Sequence, residues 1–484
     1  MTSPSSAIEP ISIAVVDHLS AGGVSRFTKS LVTHLAMRGD VRSVAYLVSL
    51  TNIERDGLDR FWVDQPKVTL HPITGPFGDP AEPPQRRDPE PGKARRTRDS
   101  VVEHLRPLKP VYLPARAGYR LTRRVVERLG GRLPTEPPPP EPPWYTYSLA
   151  VEARRLLDGF DVVYLAWPYF VQPFRPSGAL VATFHDFHFK RFPDAYPIDQ
   201  LELADAETRA WLSLCDVAVF STEFMRREAH DLFPDLVTES AVVFLAPYSS
   251  GKSVADFPFD VLTKKGIRRP YVFYSGGRSA HKNIASLVRA IGLTRGRGID
   301  VQLVVTGHGT DVLGTASLPE GAPGLAVNEA LESSSLEVGR DFVALGYVPE
   351  DEVDAITRNA ALVVSASLYE AGCGPALDAW VLGTPVAFSG IPPFLEQLDR
   401  LGVEALVFDP RDALAIADRI AFALSAPDVM DSMATRSRIA VEKYTWADVS
   451  SGYATAFQHA REVASRKEVE GLPRHREDAG WIET

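Results

Sequence analysis

Apolar and polar positions along this chain fall into short blocks of two periods. ISIAVV (11–16) is a continuous β-prone run, the pattern of a strand covered on both faces. The polar, glycine-containing DHLSAGGVS follows. RFTKSLVTHLAMRG (26–39) then spaces Phe27, Leu31 and Leu35 along one helical face and stops at Gly39. VRSVAYLVSL (41–50) reads as the next strand. From about 75 to 145 the periodicity dissolves into Pro, Gly and Arg and closes with EPPPPEPPW, which reads as an insertion. Order returns with DVVYLAW (161–167), ALVATFHD (179–186) and CDVAVFST (215–222), three strand-like runs separated by helical stretches. Such alternation predicts a parallel sheet with helices on both faces.

A polar segment broken by Gly and Pro (250–270) ends this set, and a second α/β set begins. Its order is strand YVFYSGG, helix NIASLVRAIGL, strands DVQLVVTG and DFVALGYV, helix EDEVDAITRNA and strand ALVVSA (361–366). A glycine break comes next. Pro375 then suits the first turn of a helix, PALDAWVL carries it on, and Gly383 is its stop. TPVAF and ALVFD (405–409) are further strands, ALAIADRIAFAL is amphipathic, and the chain from 430 is helical until a loose final fifteen residues. The predicted organisation is an α/β domain over 1–262 carrying the insertion, a second over 263–444, and a helical segment over 445–484 that crosses back to the first.

Composition changes this picture little. A length of 484 residues holds two domains, and 45 % apolar with 24 % charged residues is ordinary for a globular protein. The two cysteines, Cys215 and Cys373, provide neither a disulfide framework nor zinc spacing. No run approaches the roughly 18 apolar residues of a membrane span, and MTSPSSAIEP lacks the basic start and apolar core of a signal peptide. A cytoplasmic location is expected.

Charge does change the picture. The net charge is −10, yet residues 84–133 hold 14 Lys/Arg against five Asp/Glu, a local +9 that leaves −19 elsewhere. Within this island ARAGYRLTRRVVERLGGRL (115–133) lines up Leu121, Val125 and Leu129, with Arg120, Arg123, Arg124 and Arg128 flanking them. That is the pattern of a helix lying on an anionic membrane. Packing on the first domain, contact with a protein partner and a plain solvated insertion stay open beside it. No nucleic-acid partner is expected.

The glycine break carries the candidate chemistry. In EAGCGPALD, Glu370 and Asp378 stand eight positions apart with Gly372, Cys373, Gly374 and Pro375 between them. In an open α/β sheet this loop lies at a strand's carboxyl end, where ligands bind, and the free N–H groups of the helix start favour an anion. Two carboxylates beside an anion site suit hydroxyl groups, since each carboxylate accepts from two at once. A nucleotide-sugar offers both hydroxyls and phosphates. Gly372 and Gly374 would let backbone N–H groups come close to them. Cys373, near a helix start, is either a thiol of lowered pKa or a small buried residue. No cluster of Asp, Glu or His has metal-ligand character, so no metal is expected.

Six segments in order extend the case. AGGVSR, ATFHDFHFKRFP, YVFYSGGRSAHKNIASLVRAI, DFVALGYVPEDEVDAITRNAALVVSASLYE, EAGCGPALD and GIPPFLEQLD with LVFDPRD together resemble glycosyltransferase family 4. These are retaining sugar transferases of the GT-B fold. The resemblance covers roughly 11–50 and 160–460 and fails over 75–145. It implies an α/β architecture of two Rossmann-like, doubly wound parallel-sheet domains facing a cleft. It also implies a nucleotide-diphosphate sugar as donor substrate, no metal or other cofactor, and a glycan or lipid-linked acceptor in cell-surface polysaccharide or glycolipid synthesis. The transferred group would be a hexose, with mannose among the candidates.

The resemblance assigns roles residue by residue. Glu370 would contact sugar hydroxyls or support the diphosphate. Asp378, one methylene shorter than the usual Glu, would hold the ribose diol. Gly372, Cys373 and Gly374 would line the donor cradle, although AGCG replaces a more typical Gly-Phe-Gly sequence. Lys282 and Arg278 would stabilise charge growing on the leaving diphosphate, and His281 stands where many members have Arg. His185 would contact the donor sugar. Asp186 would join it or cap the following turn. Gly22 and Gly23 would admit donor phosphates or the acceptor, and Glu396 is an acidic site position or a helix cap. A different class competes with this reading: a catalytically silent GT-B-like subunit that binds a partner transferase. A nicotinamide-dependent oxidoreductase is excluded because AGGVSR is not G-x-G-x-x-G.

Overall fold

The computed structural model describes residues 9–18, 23–50, 53–54, 58, 65–73, 148–236, 239–249, 259–315, 318 and 324–470. Gly22, the proline-rich stretch, the basic island with its predicted helix, and the final fourteen residues lie outside them.

Two parallel sheets organise the chain. The first contains β1 (Ile11–Asp17), β2 (Val41–Ser49), β3 (Val68–Ile73), β4 (Val162–Leu165), β5 (Ala179–Thr183), β6 (Val217–Phe220) and β7 (Ser240–Val242), in the order β3-β2-β1-β4-β5-β6-β7. The second contains β8 (Tyr271–Ser275), β9 (Gln302–Thr306), β10 (Phe342–Ala344), β11 (Leu362–Ser365), β12 (Val386–Ser389) and β13 (Leu406–Phe408), in the order β10-β9-β8-β11-β12-β13. Every pairing is parallel, for example Ile13 beside Val162 and Val272 beside Leu362. The strand order reverses between β1 and β4 in one sheet and between β8 and β11 in the other. Both are doubly wound α/β sheets, as the block pattern predicts.

The central strands form because their residues are almost wholly apolar: VVYL of β4, ALVAT of β5 and VAVF of β6 are buried at every position. β3 and β7 escape the pattern. They are edge strands with half-exposed, mixed sequences, and β3 accommodates Pro72 because its outer side pairs with nothing in the sheet.

The last helix, Trp446–Val469, packs on the first sheet against β4, β5 and β6 and beside the Gly23–Ala36 helix. Thr445 and Asp448 open it with a reciprocal capping box. Tyr453 and Phe457 are fully buried in that sheet's core, each worth about 2 kcal/mol of apolar burial. The Tyr453 and Tyr164 hydroxyls meet the Thr183 hydroxyl at 2.8 and 2.7 Å, so their polar tips are satisfied inside the core. The C-terminal segment therefore completes the first domain rather than the second.

The carboxyl ends of the two sheets oppose each other. His188, just after β5, and His281, just after β8, bring their rings within 4.1 Å, centroid to centroid. Tyr369, from the loop after β11, donates its hydroxyl to Glu228 at 2.5 Å and accepts from the Phe187 N–H at 2.9 Å. Glu396, on the Pro392–Leu401 helix, accepts from the N–H groups of Glu223 and Phe224 at 2.6 and 3.0 Å. It thus satisfies two orphan donors at the start of the Glu223–Leu232 helix in the other domain.

Candidate active site

The loops after β8 and β11 build one side of the cleft. Asn283 takes a left-handed conformation (φ 56°) at the end of the Ala280–Lys282 turn. Its side-chain amide donates to the carbonyls of Ala366 (3.0 Å) and Pro410 (2.7 Å), and the Leu368 N–H donates to the His281 carbonyl at 2.7 Å. The two loops are thereby stitched together at backbone level. The result is a fixed ion pair, Lys282 Nζ to Glu370 Oε1 at 2.5 Å, with both side chains only partly exposed. Gly307 supports the arrangement from β9. Its φ of 131° and its approach to the Gly276 carbonyl, 2.2 Å from where a Cβ would stand, admit only glycine.

The first domain supplies the opposing groups from the end of β5. Asp186 accepts the His188 N–H at 3.0 Å, so it does cap the following turn. It also feels the pair across the cleft: burial raises its pKa, the Glu370 charge raises it further, and Lys282 pulls it back. His188 is held neutral, its pKa lowered to about 4 by burial, with Glu370 and Lys282 acting in opposite senses. Its Nδ1 lies 2.6 Å from the Tyr196 hydroxyl. His188 Nε2 and His281 Nδ1 are buried without hydrogen-bond partners. Burial and the adjacent Lys282 lower the His281 pKa strongly as well. His188, Tyr196 and Tyr369 were not among the residues picked from sequence; the second His of HDFH, three positions after His185, was the signal available for the first.

His185 is neutral too, its pKa lowered to about 4 by burial. Its Nε2 donates to the Ala166 carbonyl at 3.0 Å, which leaves Nδ1 as an acceptor 3.5 Å from the Ser221 hydroxyl. Arg278 leaves the end of β8 toward β9, where its side chain packs over Gly309 and Gly324. Gly23 opens the Gly23–Ala36 helix and is exposed, with nothing near the position of a Cβ.

The structure decides between the two readings of Cys373 and engages Asp378 within the protein. Cys373 is 3 % exposed, and burial pushes its thiol up to about 12, so the helix start does not activate it. Its N–H is donated to Gln397 Oε1 at 2.9 Å, so this part of the glycine break is occupied by the protein itself. Asp378 is 5 % exposed, and its expected place beside a ribose is taken up in the same way. Oδ1 accepts from the Tyr248 and Ser249 N–H groups at 2.8 and 2.9 Å, and Oδ2 faces Arg26 Nη2 at 3.4 Å. The shorter side chain reaches the crossover between the domains. Arg26 continues the contact, with its Nε 2.8 Å from Glu350 and its guanidinium 4.7 Å above the Tyr248 ring.

Among the described residues, no group of three His, Cys, Asp or Glu side chains is arranged to hold a metal ion, and no helix is long and apolar enough to cross a membrane.

The chain is similar to known proteins in sequence and in fold. Residues 262–440 match the family model described as glycosyl transferases group 1. The O-antigen chain mannosyltransferase B of Escherichia coli is 25 % identical over 328 residues, which cover 64 % of this chain and 80 % of that protein. Among solved structures, sucrose-phosphate synthase from Thermosynechococcus elongatus superposes with a TM-score of 0.58 at 16 % identity, over 94 % of this chain and 100 % of that one. Anabaena HepE in complex with UDP-glucose gives 0.57 at 12 % identity, over 94 % and 100 %. The structural likeness establishes the GT-B fold, and the family match extends over residues 262–440, the span of the second sheet and its helices.

Proposed function

We propose that this chain moves a hexose, mannose in our reading, from a nucleotide-diphosphate sugar to a glycan or lipid-linked acceptor, with retention at the anomeric carbon. The observation that carries the reading is the Lys282–Glu370 pair at the carboxyl ends of β8 and β11, opposed by Asp186 and His188 of the other sheet. A cation and a carboxylate fixed in one place suit a reaction in which negative charge grows on a leaving diphosphate while hydroxyls are gripped nearby. Lys282 would meet that charge, with Arg278 approaching from the β9 side. Glu370, Asp186 and neutral His185 would accept from or donate to sugar hydroxyls. The buried, unpartnered His188 Nε2 and His281 Nδ1 support a polar ligand here, since buried polar atoms nearly always have a partner and a sugar hydroxyl or phosphate oxygen would be one.

Mannose as the transferred sugar is favoured by the Escherichia coli relative. The surplus of Lys/Arg over 84–133 favours docking on the anionic inner face of a membrane, where lipid-linked acceptors would be met. One observation favours the silent-subunit alternative: the carboxylate of Asp378 is engaged by the protein's own groups. A screen of nucleotide-sugars for thermal stabilisation and for nucleoside diphosphate release separates the two. A ligand at 100 times its Kd adds about 2.7 kcal/mol of stability. Stabilisation by at least one nucleotide-sugar with diphosphate release is expected; stabilisation without release would favour the silent subunit, and neither effect with any nucleotide-sugar would overturn the proposal.

A further inference from the structure

We infer that Trp167 is the floor of an acceptor subsite, on which a hexose ring of the acceptor glycan stacks while one of its hydroxyls accepts the indole N–H. The inference rests on the transferase reading above. Its first support is topological. In doubly wound sheets ligands bind at the carboxyl ends of the strands where the strand order reverses. This chain has two such places. The one between β8 and β11 carries Lys282 and Glu370, the proposed donor chemistry. The one between β1 and β4 is flanked by His18, directly after β1, and Trp167, two residues past β4.

The second support is the indole itself. Trp211, Trp380 and Trp446 each donate their N–H to a backbone carbonyl, at 3.0, 3.0 and 2.8 Å. Trp167 is the described tryptophan without such a bond, and it is partly exposed. A large apolar ring with one unused donor suits the C–H-rich face of a sugar bordered by hydroxyls.

The third is the bracing of the segment. The His18 ring lies near-parallel to the indole, 15° between planes at 6.0 Å, and Tyr169 and Phe170 stand steeply inclined to it at 5.4 and 5.5 Å. His18 Nε2 bonds the Tyr169 carbonyl at 2.9 Å and His185 Nε2 the Ala166 carbonyl at 3.0 Å, so both sides of Trp167 are pinned. Phe170 is held at φ 61°, a left-handed conformation unusual for a bulky residue, by donating its N–H to buried Glu207 at 3.0 Å. Strain kept in place by buried partners is a mark of functional loops. The Tyr169 hydroxyl reaches the carbonyl of Asp186, the residue that faces Glu370 and Lys282. Tyr169 thus links the indole to the residue that faces the proposed transfer site.

The test titrates the full-length protein with methyl α-glycosides of a mannose, a glucose and a galactose disaccharide, read by calorimetry, with GDP and UDP as separate arms. At least one glycoside should bind wild type, about tenfold more weakly to Trp167→Ala and about threefold more weakly to Trp167→Phe, which keeps a ring but loses the N–H. GDP and UDP affinities should stay within about twofold. Thermal unfolding checks each variant, and the Phe variant carries the test if the Ala variant does not fold. Equal glycoside binding by wild type and the folded variants, or no glycoside binding by wild type, overturns the subsite. Parallel loss of nucleotide affinity overturns it as well, by placing the donor's base on the indole. Turnover of GDP-mannose and UDP-glucose is measured beside these arms. Indole-dependent glycoside binding without turnover removes the transferase reading and keeps the subsite; turnover with indole-independent binding does the reverse.

Discussion

Arg26 and Asp378, 352 positions apart, meet at 3.4 Å and join the first helix of one domain to the helix after the glycine break of the other. The carboxylate also takes the N–H groups of Tyr248 and Ser249, so it anchors the crossover as well as the guanidinium. Asp378→Ala leaves two N–H groups unmatched and Arg26 with Glu350 alone, and should cost about 2–4 kcal/mol; Arg26→Ala, at a partly exposed site, should cost about 1 kcal/mol. Urea unfolding of the two variants checks the order. A fully stable Asp378→Ala whose donor KM alone rises would instead restore the ribose role.

Glu396 reaches across to the start of the Glu223–Leu232 helix, so Glu396→Ala should loosen that helix end specifically. Hydrogen exchange at the Glu223 and Phe224 amides should accelerate, with a stability loss of about 1–2 kcal/mol. Unchanged exchange at those two amides would mean that the contact does not operate in solution.

Buried His18 titrates at about 4 instead of its ordinary 6.5 because burial disfavours its charge. The unfolded chain therefore takes up this proton first. The stabilisation is complete above pH 6.5 and is lost as pH falls toward 4, by on the order of 3 kcal/mol at most. His18→Gln, whose amide can still donate to the Tyr169 carbonyl, should reduce the slope of stability against pH between 6.5 and 4 by one proton's share, with His185, His188 and His281 still contributing. An identical slope in wild type and variant would contradict this.

Both cysteines are buried, and burial raises both thiol pKa values, Cys373 to about 12. Iodoacetamide at pH 8 should leave the native protein unmodified and label both positions after unfolding. Rapid labelling of native Cys373, prevented by nucleotide-sugar, would return it to the exposed cradle read from sequence.

These residues also show how far the sequence could be read. Strands buried on both faces, such as β4 and β5, announce themselves because every position obeys one rule. β3 and β7 do not, since an edge strand mixes buried and solvated positions. The glycine break after β11 and the placement of Glu370 and Lys282 were legible because local pattern creates them. The partners of Asp378, Glu396 and Tyr369 were not: each lies more than a hundred residues away, and only the meeting of two sheets brings them together. The sequence left Cys373 between two readings for a related reason. A helix start lowers a thiol pKa only where the thiol is not desolvated, and Cys373 is buried in a core cluster drawn from many separate elements of the second domain.

The most direct test of the Lys282–Glu370 pair is nucleoside diphosphate release from GDP-mannose and UDP-glucose by wild type, Glu370→Gln, Lys282→Met and the double variant. Wild type should turn over at least one donor. Each folded single variant should lose two or more powers of ten in rate, roughly 3 kcal/mol, and the double should be little worse than the worse single, as for two groups acting together. Near-wild-type release by either folded single variant would contradict the assignment of this pair to the reaction.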